Sequence, residues 1–481
     1  MAGRKANSAY MLMGQIFGKA GLFVSLMIYS RILDDGSFGK LLFAVAIGLI
    51  VIFLSDMGAT ILITRRIATG NPVNNTLSSA IILRTGLSIL SVLAVMIAGW
   101  AAGYSSGQLV LILLVSTGFI LDGFCETSFA AFRAGGHMVY EAVARAIHGA
   151  LGIVLAVFAW KTGQGVFFAG GTYIIRVIPS VFFVYTVLRT RMGFGIKFSR
   201  KVFASVLPLL KAAVPLGLVG MFFVAGERLD SVFIKAELGD EAIAAYQQCI
   251  KILEVLILIV TPTLLPGALF AALCEAVQAG WGRARERIAW MTELFLVIAI
   301  TLIIPLWAAE QHVLRIVWGS EFLRGVSPGE LRSVFRIVLM TLPVAYIFHM
   351  FMAIIIAVER QKKAVPIVAL SLGIEIILFL ILIPLMGIAG AAISHLVLLL
   401  SVAVMLSWNL HMEYGPTGFV RGARRPVLAS FPSFAVLLMQ PFNPVENTAI
   451  SMAAFIVVWL LFGGHKIIPS FHLSRPGSLR E

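Results

Sequence analysis

The chain reads as an all-α polytopic membrane protein of about 14 transmembrane helices, built as two pseudo-symmetric six-helix bundles plus two C-terminal helices. Three observations predict this. Hydrophobic residues make up 60% of the 481 and charged residues only 12%, with a mean hydropathy of +0.98. A soluble domain carries roughly twice that charge fraction, because polar groups must cover its surface. Apolar runs of spanning length recur along the whole chain, and Lys and Arg gather in alternate connectors between them.

A spanning helix needs roughly 20 mostly apolar residues. Such runs fall near 9–30, 38–63, 78–100, 107–128, 141–160, 166–188, 212–234, 246–272, 290–308, 334–357, 365–384 and 388–408. Two weaker ones follow near 427–441 and 448–463, with Pro432 and Pro441 interrupting this last stretch. The first run contains Gln15 and Lys19, and no small-residue cleavage site follows it. It therefore reads as a retained helix and not as a signal peptide.

The net charge of +14 sits in the connectors, so it points to a lipid bilayer and not to a nucleic-acid partner. The rich set of connectors begins with Arg4 and Lys5, continues through Arg65, Arg66 and Arg133, and ends with Lys466, Arg475 and Arg480. The opposite set is poorer: Arg31, Lys40, Lys161 and Lys235, plus four arginines in the 309–336 stretch. This alternation predicts a multi-pass membrane protein with both termini cytoplasmic. Cys125, Cys249 and Cys274 form no CxxC and lie in or beside apolar runs, which fits small free thiols.

The organisation expected is an N-terminal six-helix bundle over 1–190, a basic cytoplasmic linker over 191–211, a second bundle over 212–410, and two extra helices with a cytoplasmic tail over 411–481. The stretch leading into the second run, "RILDDGSFGKLLFAVAIGLIVIFLSDMGAT", shares its plan with "IKAELGDEAIAAYQQCIKILEVLILIVTPTLLP" before the eighth. Six helices per repeat give both copies one orientation, with a pseudo-two-fold axis along the membrane normal and a substrate site between them. The linker, with "FGIKFSRKVFASVLPLL", fits either an amphipathic helix on the anionic inner leaflet or a solvated loop.

Several stretches resemble the polysaccharide-transporter (Wzx-type) flippases of the multidrug/oligosaccharidyl-lipid/polysaccharide exporter superfamily. They are the N-terminal "ANSAYMLMGQIFGKAGLFVSLMIYSRILDDGSFGKLLFA" with Phe38-Gly39, "SDMGAT", "ERLDSVFIKAELGDEAIAAYQQCIKILE", "VWGSEF" at 317–322 and "PLMGIAGAAIS" at 384–394. The likeness runs through about the first 410 residues. It implies two six-helix bundles in a V around a central cavity, alternating access, and an undecaprenyl-diphosphate-linked sugar repeat unit as substrate. It also implies a polysaccharide polymerase and chain-length proteins as partners. The two final helices are extra to that twelve-helix plan and are similar in place to the added pair of the lipid II flippases.

Charges inside apolar runs are expensive and usually line a cavity or pair with one another. Lys19 lies about ten residues into the first run, roughly 15 Å from its start, and Arg176 lies similarly deep in the sixth. Arg228 and Lys251 fall toward the outer third of the seventh and eighth runs. These four cations are the candidate substrate-binding residues, since ammonium and guanidinium groups suit a pyrophosphate or an acidic sugar. Lys251 and Glu254 can equally pair along one helix face, and Glu227, Arg228 and Asp230 can belong to an outer mouth. Arg84, Arg145 and Lys211 are expected to snorkel into headgroups from the inner helix ends.

Intramembrane carboxyls at Asp56, Asp122, Glu254, Glu293 and Glu375 can carry protons or Na⁺. Glu375, mid-run with no cation near it in sequence, is the first candidate for ion coupling, ahead of Asp56 and Glu254. His349 and His395 are second choices as proton relays. Gly14, Gly18 and Gly21 form a small-residue face for close packing, as do Gly387, Gly390, Ala391 and Ala392. Pro215, Pro262, Pro266 and Pro384 predict kinks, and the Asn74 sequon falls on the expected cytoplasmic side.

No catalytic residues, metal site or cofactor are expected, because Walker A, HExxH, G-x-S-x-G and zinc-ligand spacings are absent. Two other classes compete with the flippase reading. A membrane glycosyltransferase or polymerase would have to use Asp34-Asp35 as metal ligand or base, in a loop of only a few residues. Those two residues suit a turn before Gly36 better. A multidrug antiporter of the same superfamily would want an acidic cavity, whereas the first run carries Lys19.

Overall fold

The computed structural model describes residues 2–258, 260, 268–319, 326–439 and 443–464, and among them it contains eighteen helices and no strand. In chain order these are α1 (Ala2–Ile32), α2 (Asp35–Asp56), α3 (Ala59–Ala68), α4 (Val73–Ala101), α5 (Ser106–Gly135), α6 (Met138–Thr162), α7 (Val166–Ile175), α8 (Ile178–Met192), α9 (Arg200–Leu238) and α10 (Asp240–Ile257). There follow α11 (Ala268–Gln278), α12 (Trp281–Ala308), α13 (Glu310–Trp318), α14 (Pro328–Ala357), α15 (Gln361–Met386), α16 (Ile388–Tyr414), α17 (Phe419–Met439) and α18 (Pro444–Leu461). Eleven segments are long and apolar enough to cross a membrane, with α7 and α8 together making one of them. At the seventh, eighth and thirteenth expected positions stand α9, α10 and α17, each with charges inside it. These three fall short of that measure, so eleven spans stand among the described residues where the hydropathy predicts about fourteen. The kinks expected at Pro262 and Pro266, and the interruption at Pro441, fall outside the described residues.

Local chemistry explains the breaks. The second span ends at Met57, which is left-handed at φ 44° and returns its N–H to the Phe53 carbonyl at 3.0 Å. Gly58 continues the turn at φ 78°, a conformation that costs glycine nothing. A Cβ on Gly58 would come within 2.7 Å of the Gly217 amide nitrogen, and a Cβ on Gly217 would strike the Met57 carbonyl. The "SDMGAT" stretch is thus a backbone turn against which α9 packs with no side chain between. The sixth span breaks at Arg176, which caps α7 while Pro179 opens α8.

Residues 193–199 carry no regular structure. Ser199 then caps α9 by accepting the Val202 N–H at 3.3 Å, and the helix runs unbroken to Leu238. The second half of the expected linker, Arg200 to Lys211, is therefore the beginning of the seventh-span helix.

The described helices fall into two compact units. One comprises residues 1–255, 315–334 and 362–398, and the other 256–314, 335–361 and 399–481. In the first, α1 lies against α6 through glycines. A Cβ at Gly14 would meet the Ala142 Cα at 2.7 Å, and one at Gly21 would enter the Gly149 backbone. Such contacts bring helix backbones together where the surrounding lipid offers no hydrophobic gain. Gly390 makes a similar approach to the Leu382 carbonyl between α15 and α16. In the second unit, Gly422 of α17 presses on the Ala289 carbonyl of α12, and Trp307 meets Phe434 edge-on at 5.8 Å.

Candidate functional site

All five carboxyls singled out inside the spans have partners. Asp56 accepts from Arg84 at 2.9 Å, Asp122 lies 3.4 Å from His148 Nδ1, and Glu293 faces Arg425 at 3.3 Å with Trp459 Nε1 donating at 3.1 Å. Glu254 and Glu375, in the first unit, are the two of most interest.

Glu254 joins two of the predicted cations. Its Oε1 lies 2.8 Å from Arg228 Nη1 and 2.8 Å from Lys251 Nζ. Arg228 is 11% and Lys251 8% exposed, whereas Glu254 is 37% exposed, so the cluster opens on the carboxylate side. Glu227 adds a carboxylate 4.0 Å from Arg228. Lys19 of α1 is itself exposed and stands within electrostatic range of Glu254, Glu227, Arg145 and Arg228. Three of the four predicted cations therefore share one electrostatic neighbourhood. The pairing of Lys251 with Glu254 along one helix face is real, but Arg228 from a second helix joins it.

Arg176 is placed apart from that group. It is 4% exposed, its guanidinium lies 3.9 Å over the Tyr173 ring, and a Cβ at Gly152 would touch its Cδ at 3.6 Å. A cation held on an aromatic face is a stable buried arrangement.

Glu375 is fully buried on α15, and His395 of α16 brings its Nδ1 to 3.5 Å from the carboxyl. The absence of a local partner in sequence is thus corrected by the next helix. Neither carboxyl oxygen, nor His395 Nδ1, makes a hydrogen bond among the described residues. The opposite wall is α9, where a Cβ on Gly226 would lie 3.0 Å from Glu375 Oε2. A carboxyl and an imidazole so placed hold either one shared proton or a pair of charges, and a cation can take the proton's place. The other histidine, His349, belongs to the second unit.

The expectation that Arg84 and Arg145 snorkel is overturned. Arg84 is 4% exposed and gives Nη1 to both Asp56 and Thr127, the latter at 2.6 Å. Arg145 pairs with Glu126 and, at 3.0 Å, with Glu141, which also takes Arg133 at 2.6 Å. Sequence reasoning does not single out Glu126, Glu141 or His148. The i,i+4 spacing of Glu141 and Arg145 is the one signal that could have drawn attention to them. Lys211 is exposed, as expected.

At the end of the first unit that carries the poorer set of basic connectors, the quoted motifs meet. Arg31 Nη2 donates to the Ile316 carbonyl at 2.6 Å and Ser30 to the Trp318 carbonyl at 3.1 Å. Trp318 is 1% exposed between Phe23 at 5.6 Å and Phe38 at 6.2 Å. Gly39 abuts the Asp240 carbonyl, and Lys235 pairs with Asp240 while lying 5.0 Å over Phe43. Phe38-Gly39, Lys235 to Asp240, and the tryptophan of "VWGSEF" thus form one seal between the first two spans and later segments of the chain.

The comparisons agree with this architecture. A family profile described as polysaccharide biosynthesis protein matches residues 5–270. No curated protein matches the chain. Among solved structures, the lipid II flippase MurJ in an inward closed conformation is similar at a TM-score of 0.68 and 14% identity, covering 96% of this chain and 99% of that one. An outward-facing multidrug resistance MATE family transporter of the MOP superfamily gives 0.59 and 16%, over 88% and 96%. A MOP superfamily transporter from Pyrococcus furiosus, described by a reversed polarity of its binding pocket, gives 0.59 and 15%, over 88% and 95%. The MurJ match leaves out fewer residues than the final pair of helices contains, so that pair shares in the likeness. With the profile spanning more than half of its length, the chain belongs to the polysaccharide biosynthesis protein family and is a multi-pass membrane protein with the fold of the MOP superfamily transporters.

Proposed function

We propose that the chain is a flippase, not an enzyme, that carries undecaprenyl-diphosphate-linked oligosaccharide repeat units across the bacterial inner membrane by alternating access, for cell-surface polysaccharide synthesis. The observation that carries this reading is the gathering of Lys19, Arg228 and Lys251 in one neighbourhood that opens toward Glu254. Lys19, Arg228 and Lys251 supply the ammonium and guanidinium groups that suit a diphosphate, with the carboxylates Glu227 and Glu254 beside them. The P. furiosus transporter is described by a reversed polarity of its binding pocket, so pocket charge is one feature on which transporters of this fold differ. Arg176 supports the site from a distance, by fixing the break between α7 and α8.

Ion coupling is assigned to Glu375 with His395, because Asp56 and Glu254 are committed to arginine and lysine partners. On this reading the seal around Trp318 is the outer barrier, both termini are cytoplasmic, and the polymerase and chain-length proteins receive the product outside.

Complementation tests the proposal. The chain is expressed in a bacterial strain lacking its repeat-unit flippase, beside Lys19→Ala and Lys251→Ala at matched membrane levels. Return of surface polysaccharide with wild type and its loss in both variants is the expected result. Failure of the wild type across several sugar backgrounds would sink the reading and favour a multidrug antiporter.

A further inference from the structure

We propose that the second unit holds a site for an anionic phospholipid of the leaflet that the basic connectors face, seated between α12, α17 and the end of α18. A cavity of about 600 Å³ lies there, lined among others by Glu286, Glu293, Arg421, Arg424, Arg425 and Phe462. The three arginines stand at i, i+3 and i+4, so α17 turns them to one side. Helix α17 lies close against α12, because a Cβ on Gly422 would strike the Ala289 carbonyl and meet Thr292 Cβ at 2.9 Å.

The charges in this cavity do not cancel internally. Glu293 is satisfied by Arg425 at 3.3 Å and by Trp459 Nε1 at 3.1 Å. Arg421 and Arg424 have no carboxylate within 4.0 Å among the described residues. With Glu286 also on the wall, three arginines face two carboxylates, and the one net positive charge, with the guanidinium groups of Arg421 and Arg424 outside any such ion pair, forms a receptor for a phosphate oxygen set.

A second cavity identifies the phosphate's carrier. An apolar groove of about 630 Å³ runs along the other side of α17, lined by Phe351, Val404, Trp408, Val420 and Val427. Arg421 borders both cavities, so one side chain joins a phosphate-binding mouth to a hydrocarbon-sized channel. Free phosphate uses only the first of these, whereas a phospholipid uses both. The site belongs to the two helices that lie beyond the twelve-helix plan and gives them a task.

The test uses full-length protein purified in detergent, titrated with dioleoyl-phosphatidylglycerol, dioleoyl-phosphatidylcholine or inorganic phosphate, with binding read by native mass spectrometry and by thermal shift. Wild type is expected to retain phosphatidylglycerol in preference to phosphatidylcholine. Arg421→Gln/Arg424→Gln should weaken that binding by roughly 25-fold, at about fivefold per arginine near a membrane surface. Lys362→Gln, which removes a basic residue outside both cavities, should leave it unchanged. Val404→Trp, which fills the groove, should weaken lipid binding with no effect on phosphate. Equal retention of the two lipids, or a double variant that binds like wild type, would overturn the proposal. Full displacement of phosphatidylglycerol by millimolar phosphate would also overturn it, leaving a simple anion site.

Discussion

Replacing Asp56 by alanine strands Arg84 inside the N-terminal helices. The guanidinium is 4% exposed, lies 2.9 Å from Asp56 and 2.6 Å from Thr127, and is pressed against the bare face of Gly123, whose Cβ would come within 2.6 Å of Nη2. Removing one partner of a buried ion pair costs about 3–5 kcal/mol, because the remaining charge loses both water and counter-ion. Asp56 is 22% exposed, so some water reaches the pair and about 3 kcal/mol is the working value. Asp56→Ala/Arg84→Met leaves no stranded charge and should return to within about 1 kcal/mol of wild type. Thermal unfolding of the purified proteins reads the stability, and complementation of a flippase-deficient strain reads the function. A structural Asp56 predicts that the single variant loses both and the double variant regains both. Restored stability without restored transport would move Asp56 into ion coupling, and a single variant as stable as wild type would refute the ion-pair reasoning.

Gly21→Leu should separate α1 from α6, since the first added carbon already overlaps the Gly149 backbone, and a loss of about 2–3 kcal/mol should appear as lower yield and lower thermal stability. Asp34→Ala removes the cap of α2, where the carboxylate accepts the Ser37 N–H at 2.9 Å, at a cost of about 1 kcal/mol in thermal stability. Its hydrogen bonds, led by the Ser37 hydroxyl, hold the Asp34 carboxyl below its ordinary range. The contribution is therefore present at neutral pH and is lost as pH falls through that lowered value, so the gap between variant and wild type should close in acid. Gly226→Ala should leave expression near normal while cutting transport, because its methyl group displaces the flexible end of Leu398 at 2.7 Å and reaches Glu375 Oε2 at 3.0 Å. Transport at the wild-type rate would detach Glu375 from the mechanism.

The fold was legible because the bilayer imposes it. Every span must be a helix of set length, so hydropathy and basic connectors carry the whole layout. Depth and partnership were less legible. Arg84 falls only a few residues into the apolar run that starts near 78, which is why snorkelling was expected. Its guanidinium instead turns inward to Asp56 and Thr127, partners on other helices that no spacing within the run reveals. Glu375 and His395 sit on consecutive helices, and no spacing rule relates residues across a turn whose geometry is set by Gly387 at φ 60°. Lys251 and Glu254 were readable as a pair because one helix carries both, while Arg228, from another helix, was not readable as their third member.

Helix α9 touches both the proposed substrate site and the proposed ion site. Gly226 faces Glu375, Arg228 holds Glu254, and Asp230 is buried against Ser231, whose hydroxyl takes a bond from Gln247 of α10 at 2.8 Å. Gly226, Arg228 and Ser231 thus touch the carboxyl–imidazole pair, the cation cluster and the neighbouring helix within about one and a half turns. A proton or cation arriving at Glu375 changes the charge facing the backbone at Gly226, where no side chain absorbs the change. Arg228, two residues on, can then respond only by shifting with the helix, since its guanidinium is already fixed at 2.8 Å from Glu254. Coupling on this reading needs no long chain of intermediates. It needs α9 to be stiff across 226–230, and glycine at 226 serves close approach to Glu375 and not flexibility, because the surrounding helix is continuous from Arg200 to Leu238.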